Sequence, residues 1–147
     1  PVMDIRIGAY GLVIVDDAIL LTHWSAGDAW TLPGGGLDLG EEPTTAAIRE
    51  IHEETGLTAT LDRLLGIHTI VIPGAERMNG SGVPLHAMRV VYRATVEPGE
   101  LVVEIDGSSD DARWVPLDQL SGIPVVDLVP LALEFDRTEP PDGSLPT

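Results

Sequence analysis

The stretch LPGGGLDLGEEPTTAAIREIHEETGL, Leu32–Leu57, decides how the rest of the chain is read. Three successive glycines, Gly34-Gly35-Gly36, make regular structure implausible there and mark a place that needs a bare backbone. Pro43 suits the first helical position, Thr44–Thr55 has helical periodicity, and Gly56 stands where a left-handed C-terminal cap is expected. The spacing therefore predicts a helix over 43–55. On it, Glu50, Glu53 and Glu54 occupy positions i, i+3 and i+4, which project from one face.

Three carboxylates on one helix face are expected to converge. Each like-charged neighbour pair costs roughly 0.2–0.5 kcal/mol, so stability alone gives no reason to cluster them. A bound cation gives one. Oxygen ligands in a chain without cysteine favour a hard ion, Mg²⁺ first, then Mn²⁺ or Ca²⁺. Mg²⁺ keeps several waters and is completed by substrate phosphates, so a site with few protein ligands points to phosphate chemistry.

Outward from this segment, Ile5–Val15 and Ala18–Trp24 read as the two arms of a hairpin turning at Asp16-Asp17, and Trp30–Leu32 as a short strand. Thr58–Ile72, Leu85–Val96, Leu101–Ile105 and Ala112–Val115 read as strands, Pro73–Pro84 as a glycine-rich loop and Val125–Phe135 as a second helix. Strands and two helices without regular βαβ alternation predict an α+β chain with a mixed sheet and a helix on each face. A single domain is expected over 1–137, followed by a proline-rich tail, 138–147, expected to be disordered.

The charge balance narrows the function. With 8 Lys+Arg against 24 Asp+Glu the formal net charge is −16, which repels nucleic acid and anionic membranes and lets a small anionic ligand bind only with local help. All the basic side chains are arginine, so neither a Schiff-base lysine nor a lysine-dependent phosphate loop exists. The absence of cysteine excludes disulfides, thiolate metal sites and thiol nucleophiles. No signal peptide and no apolar run near the ~20 residues of a membrane span is visible, so a cytoplasmic location is expected.

Gly35, five residues, Glu41, seven residues, then Arg49-Glu50-Ile51-His52-Glu53-Glu54-Thr55-Gly56-Leu57 fits G-x5-E-x7-R-E-U-x-E-E-x-G-U, with U aliphatic. At average residue frequencies such a match has a chance on the order of 10⁻⁹ at a given site. The segment resembles the Nudix box, complete and without substitution, and Leu32-Pro33-Gly34-Gly35 is similar to the family's lead-in.

The resemblance implies an α/β/α sandwich and a Mg²⁺-dependent hydrolase, with Mn²⁺ as a substitute. Its substrate would be a nucleoside diphosphate linked to another group. On the family pattern Glu50, Glu53, Glu54 and the Gly34 carbonyl bind metal, while Arg49 and Glu41 orient the glutamates. The proton acceptor is left open among Glu50, Glu104, Asp110 and Asp111. Pro73, sixteen residues beyond Leu57, is similar to the mark of ADP-ribose hydrolases and favours an ADP-ribose-like substrate. The alternatives are a nucleoside triphosphate, oxidised ones included, and a nucleotide-sensing domain without catalysis. A small-molecule nucleotide is the expected partner, with a homodimer possible on the family pattern. Arg6, Arg77, Arg89 and Arg93 are the candidates for holding phosphate or ribose, and one of the tryptophans for stacking a base.

Overall fold

The structure, a computed structural model, describes residues 2–103 and 107–146. In chain order its elements are β1 (Asp4–Leu12), β2 (Ile14–Val15), β3 (Ala18–Trp24), β4 (Ala29–Thr31), β5 (Gly34–Gly36), α1 (Pro43–Thr55), β6 (Ala59–Ile72), β7 (Leu85–Val96), β8 (Ser109–Pro116) and α2 (Leu128–Thr138). Short 3₁₀ turns lie at Gly74–Glu76 and Leu117–Gly122. One sheet runs β5-β1-β7-β6 and is mixed, since β1 and β7 pair in parallel while its other pairs are antiparallel. In the second sheet β3 lies between β2, β4 and β8, all antiparallel to it.

Strand alternation sorts the core into two layers. Ala9, Val90 and Tyr92 meet Ala46 and Ala47 of α1 on one face of the mixed sheet. Tyr10, Leu12, Val91 and Leu65 meet Leu128, Val129, Ala132 and Phe135 of α2 on the other. Each fully buried Leu, Val or Phe of the second layer contributes about 1.5–3 kcal/mol, so α2 is held chiefly by the sheet it covers. The fold is the expected mixed sheet between helices.

Helix α1 has the expected bounds. Gly56 closes it at φ 77°, donating its N–H to the His52 carbonyl at 2.8 Å. Elsewhere the structure corrects the reading. The three glycines do form a strand, β5, because β1 offers an edge on which Tyr10, Ala9 and Gly8 pair with them. Only Ile14–Val15 pairs with β3 across the Asp16-Asp17 turn, both of whose residues have positive φ, as a two-residue hairpin turn requires. The rest of the expected arm leaves for the other sheet as β1. Helix α2 begins three residues after the expected Val125. Pro130 lacks an N–H and its ring excludes the carbonyl four residues back, so it can stand only in the first turn. Val126 instead donates its N–H to Trp30 at 2.9 Å.

Residues 101–103 are not a strand, and Val102 donates to the Thr55 carbonyl at 2.8 Å; Glu104 and Ile105 lie outside the described residues. The tail expected to be disordered from 138 instead begins with the last residue of α2. The Gly143 carbonyl then accepts the Ile67 N–H at 2.8 Å, and Leu145 packs on the core beneath α2. Strand β6 is a sheet edge, and its unpaired N–H groups give the tail something to bond. No helix of the described residues is long and apolar enough to cross a membrane.

Phe135 is fully buried and presses on the backbone of β6 at Gly66, where a β-carbon would come within 2.2 Å of its ring. Gly66→Ala is expected to lower stability by about 1–3 kcal/mol in urea unfolding, as overpacking does. Combined with Phe135→Leu it should cost less than the two substitutions summed, whereas strict additivity would show that the contact is not the cause.

Candidate active site

Loop and helix are locked together by one guanidinium. Arg49 donates from Nε and one terminal nitrogen to both oxygens of Glu41, at 2.8 Å each, and from the same nitrogen to the Gly36 carbonyl at 3.2 Å. Its other terminal nitrogen reaches Glu50 at 2.9 Å and Glu53 at 3.1 Å. A planar fork with donors in fixed directions can serve three carboxylates at once; an ammonium cannot hold that geometry. Glu41 in turn accepts the Asp38 N–H at 3.0 Å, closing the loop before α1. The bond to Glu41 first, then burial, Glu50 and Glu53, act on the Arg49 pKa, and the net result is a rise.

The three helix glutamates differ in environment. Glu54 is 4% exposed and points inward, accepting the Gly34 N–H at 2.7 Å and the Ser109 hydroxyl. The side chains of Glu50 and Glu53 are 19% and 39% exposed and face Arg49. Among the described residues no three acidic or histidine side chains stand close enough to hold a metal ion. Long side chains choose partners by rotamer, and here Arg49 takes two while Gly34 and Ser109 take the third.

The donor set still fits a hard divalent cation. It is all oxygen, and the Gly35 backbone lies against Glu50, where a β-carbon would stand 2.8 Å from the carboxylate carbon. Gly34, at φ 150°, has no room for a side chain either, its β-carbon position falling 2.3 Å from the Ala9 carbonyl.

Gly34 and Glu54 line a cleft of about 330 Å³. Arg6, Gly8 and Tyr10 of β1 line its floor, Ile72 and Leu85 flank it beside the 73–84 loop, and Arg89, Asp127 and Trp24 also line it. The volume lies within the range of small-molecule sites. Arg89 is buried and bidentate to Asp127 at 2.8 and 3.2 Å, and its Nε has no hydrogen-bond partner among the described residues. A guanidinium only donates, so the His68 Nδ1 at 2.7 Å accepts and the ring proton sits on Nε2. Burial and then the Arg89 charge lower the His68 pKa.

Of the acids weighed as proton acceptor, Asp110 accepts from His23 at 2.6 Å and Asp111 from the Ala112 N–H and Arg113, at 2.8 and 3.0 Å. Neither lines the cleft, and Glu104 lies outside the described residues. The bonds to Asp110 and Asp28 raise the His23 pKa. Arg77 is taken by Asp4 and Arg93 by Asp136 and Glu139, which leaves Arg6 and Arg89 of the four arginines at the cleft. Ser109 and Asp127 were not legible as site residues. They are 55 and 73 positions beyond Glu54, and only the pairing of β8 with β3 and the start of α2 bring them in.

A family model, the NUDIX domain, matches residues 5–135. Over 100 residues, 68% of the chain, the sequence is 51% identical to an 8-oxo-(d)GTP phosphatase of Mycolicibacterium smegmatis. The matches span between 27% and 32% of the length of the first curated relatives. A MutT NUDIX hydrolase structure from Burkholderia pseudomallei superposes with a TM-score of 0.71 at 30% identity, covering 89% of this chain and 97% of that one. An ADP-ribose pyrophosphatase structure from Streptococcus suis shares the fold, with a TM-score of 0.64 at 21% identity over 92% and 94% of the two chains.

The hydrogen bonds from Arg49, then that from the Asp38 N–H, hold Glu41 at about 2, below its ordinary 4.5. A depressed carboxylate stabilises the folded state fully above its unfolded value and loses that contribution as pH falls toward the folded one. The melting-temperature gap between the parent chain and Glu41→Gln is therefore expected to be largest near about pH 6 and to shrink as the pH falls from 4.5 toward 2. A gap independent of pH would contradict the pairing.

Proposed function

The chain belongs to the Nudix family, and on that premise we propose that it hydrolyses the phosphoanhydride of a nucleoside triphosphate, an oxidised guanine nucleotide ahead of ADP-ribose, with Mg²⁺ as its ion. The observation that carries the reading is the cleft: the glutamate helix and the glycine strand open through Glu54 and Gly34 onto a space sized for a nucleotide. The triphosphate stands first because the relative at 51% identity is named for 8-oxo-(d)GTP. The ADP-ribose expectation rests on Pro73, and Pro73 has a local role: its carbonyl accepts the Glu76 N–H at 2.9 Å and starts the 3₁₀ turn that ends β6.

In this reading Glu50, Glu53, Glu54 and the Gly34 carbonyl hold the ion, with Mn²⁺ as a substitute. When bound it lowers the pKa of water and screens charge on the phosphate oxygens. The chain's own groups supply orientation. Arg49, fixed by Glu41, sets Glu50 and Glu53, and the Gly34 N–H and Ser109 hydroxyl fix the Glu54 rotamer. Glu50 lies against the bare Gly35 backbone, on the side of the glycine strand that faces α1.

Two measurements test this. The kcat/KM for 8-oxo-dGTP is expected to exceed that for ADP-ribose by about tenfold or more, equivalent to about 1.4 kcal/mol of transition-state binding. The reverse order would restore ADP-ribose, and binding without turnover would favour the sensing alternative. Mg²⁺ should raise the melting temperature of the parent chain by linkage, and neutralising Glu50, Glu53 and Glu54 to Gln should abolish the shift. A full shift in the triple variant would place the ion elsewhere.

A further inference from the structure

The molecule has eight basic side chains, all arginine, among 24 acids. Seven of the eight have a carboxylate within 4.0 Å: Arg49, Arg63, Arg77, Arg89, Arg93, Arg113 and Arg137. Arg6 alone has no ion pair among the described residues, and Arg6 lines the cleft. In a chain of net charge −16, an exposed arginine with no carboxylate at ion-pair distance among the described residues keeps its charge available to an arriving anion. Its neighbours across the sheet are uncharged: Ala87 faces it on β7, and Gly36, beside it on β5, leaves its Nε and one terminal nitrogen 3.7 Å from the position a β-carbon would take. Strand alternation puts Arg6, Gly8 and Tyr10 on the cleft face, whereas Gly35 faces Glu50 and α1.

The glycine strand thus separates two opposite charges. At Gly34 the backbone meets the Glu54 carboxylate, and two residues on, at Gly36, it lies under the Arg6 guanidinium, a rise of roughly 7 Å along an extended strand. We propose that Arg6 is the phosphate anchor of the cleft: it donates to oxygens of a substrate phosphate that is not the one attacked, and so selects a chain of phosphates lying along Gly34–Gly36. The reading rests on the nucleotide assignment above. A planar guanidinium binds two phosphate oxygens at once, and a cation with no carboxylate to leave gains more from an arriving anion than one that must exchange partners.

Arg6→Ala, Arg6→Lys and Arg63→Ala isolate the effect, since Arg63→Ala removes the same charge from outside the cleft. Steady-state kinetics on the hydrolysed nucleotide are measured together with metal-free calorimetric binding of inorganic pyrophosphate, a nucleoside monophosphate and the bare nucleoside. Arg6→Ala is expected to raise KM, and Kd for the phosphate-bearing probes, about tenfold, with kcat changed less than about twofold and nucleoside binding unaltered. The salt dependence of KM should flatten, and Arg6→Lys should restore part of the loss. Arg63→Ala should leave all of these at parent values. If Arg6→Ala matches Arg63→Ala, or weakens the nucleoside as much as the phosphates, the anchor is refuted while the hydrolase reading stands. A parent chain that hydrolyses no nucleotide refutes the functional reading itself.

Discussion

One guanidinium reconciles a helix face and a loop that would otherwise repel each other. Glu41, Glu50 and Glu53 all lie within hydrogen-bond reach of Arg49, whose positive charge offsets the repulsion among the three carboxylates. The arrangement also divides labour among similar residues. Glu54, alone of the helix glutamates, is turned away from arginine onto a backbone N–H and a hydroxyl, so its position is set by the sheets rather than by the loop. The site is thereby tied to β5, β8 and α1 together, and none of these elements can shift without moving a carboxylate.

How far the sequence could be read depends on how local the deciding physics is. Helix α1 was legible to the residue because Pro43 and Gly56 carry its start and stop within themselves. The start of α2 was missed by three residues although Pro130 was in plain view, because the apolar run Val125-Val126 continues the pattern while the backbone cannot continue the helix. The three glycines read as irregular on propensity, and pairing with β1 overrode it. In the site, Glu41, Arg49 and the helix glutamates sit within fourteen residues of one another; helical spacing put the glutamates on one face, and the resemblance to the Nudix box added Glu41 and Arg49. Ser109, Asp127 and the choice of Arg6 over Arg77 and Arg93 depend on tertiary placement, for which spacing carries no signal.

The cleft has an uneven electrostatic lining. Glu54 of the glutamate helix and Asp127 are the acids that line it, apolar side chains such as Ile70, Ile72 and Leu85 line it too, and Arg89 is already paired with Asp127. The ion pairs of Arg63, Arg77, Arg93, Arg113 and Arg137 hold some of the carboxylates at residues that do not line the cleft. The net charge, read alone, argues against phosphate ligands; the distribution of charge reverses that.

The parallel ladder of β1 on β7 has a kinetic side. It joins Asp4 to Leu85 and Leu12 to Arg93, partners separated by 81 residues, whereas the β2–β3 and β3–β4 turns close within a few residues. Ladders of such long sequence separation form late, after local hairpins and helices have already appeared. On a ribosome releasing the chain from its N-terminus, the glycine strand and the glutamate helix emerge well before β7, and β1 must wait half-paired with an exposed edge. The floor that carries Arg6 and Arg89 cannot close until β7 has emerged, and Ser109 and Asp127 reach the cleft only with β8 and α2, later still, so the order of synthesis, as much as the final contacts, sets when this cleft is complete.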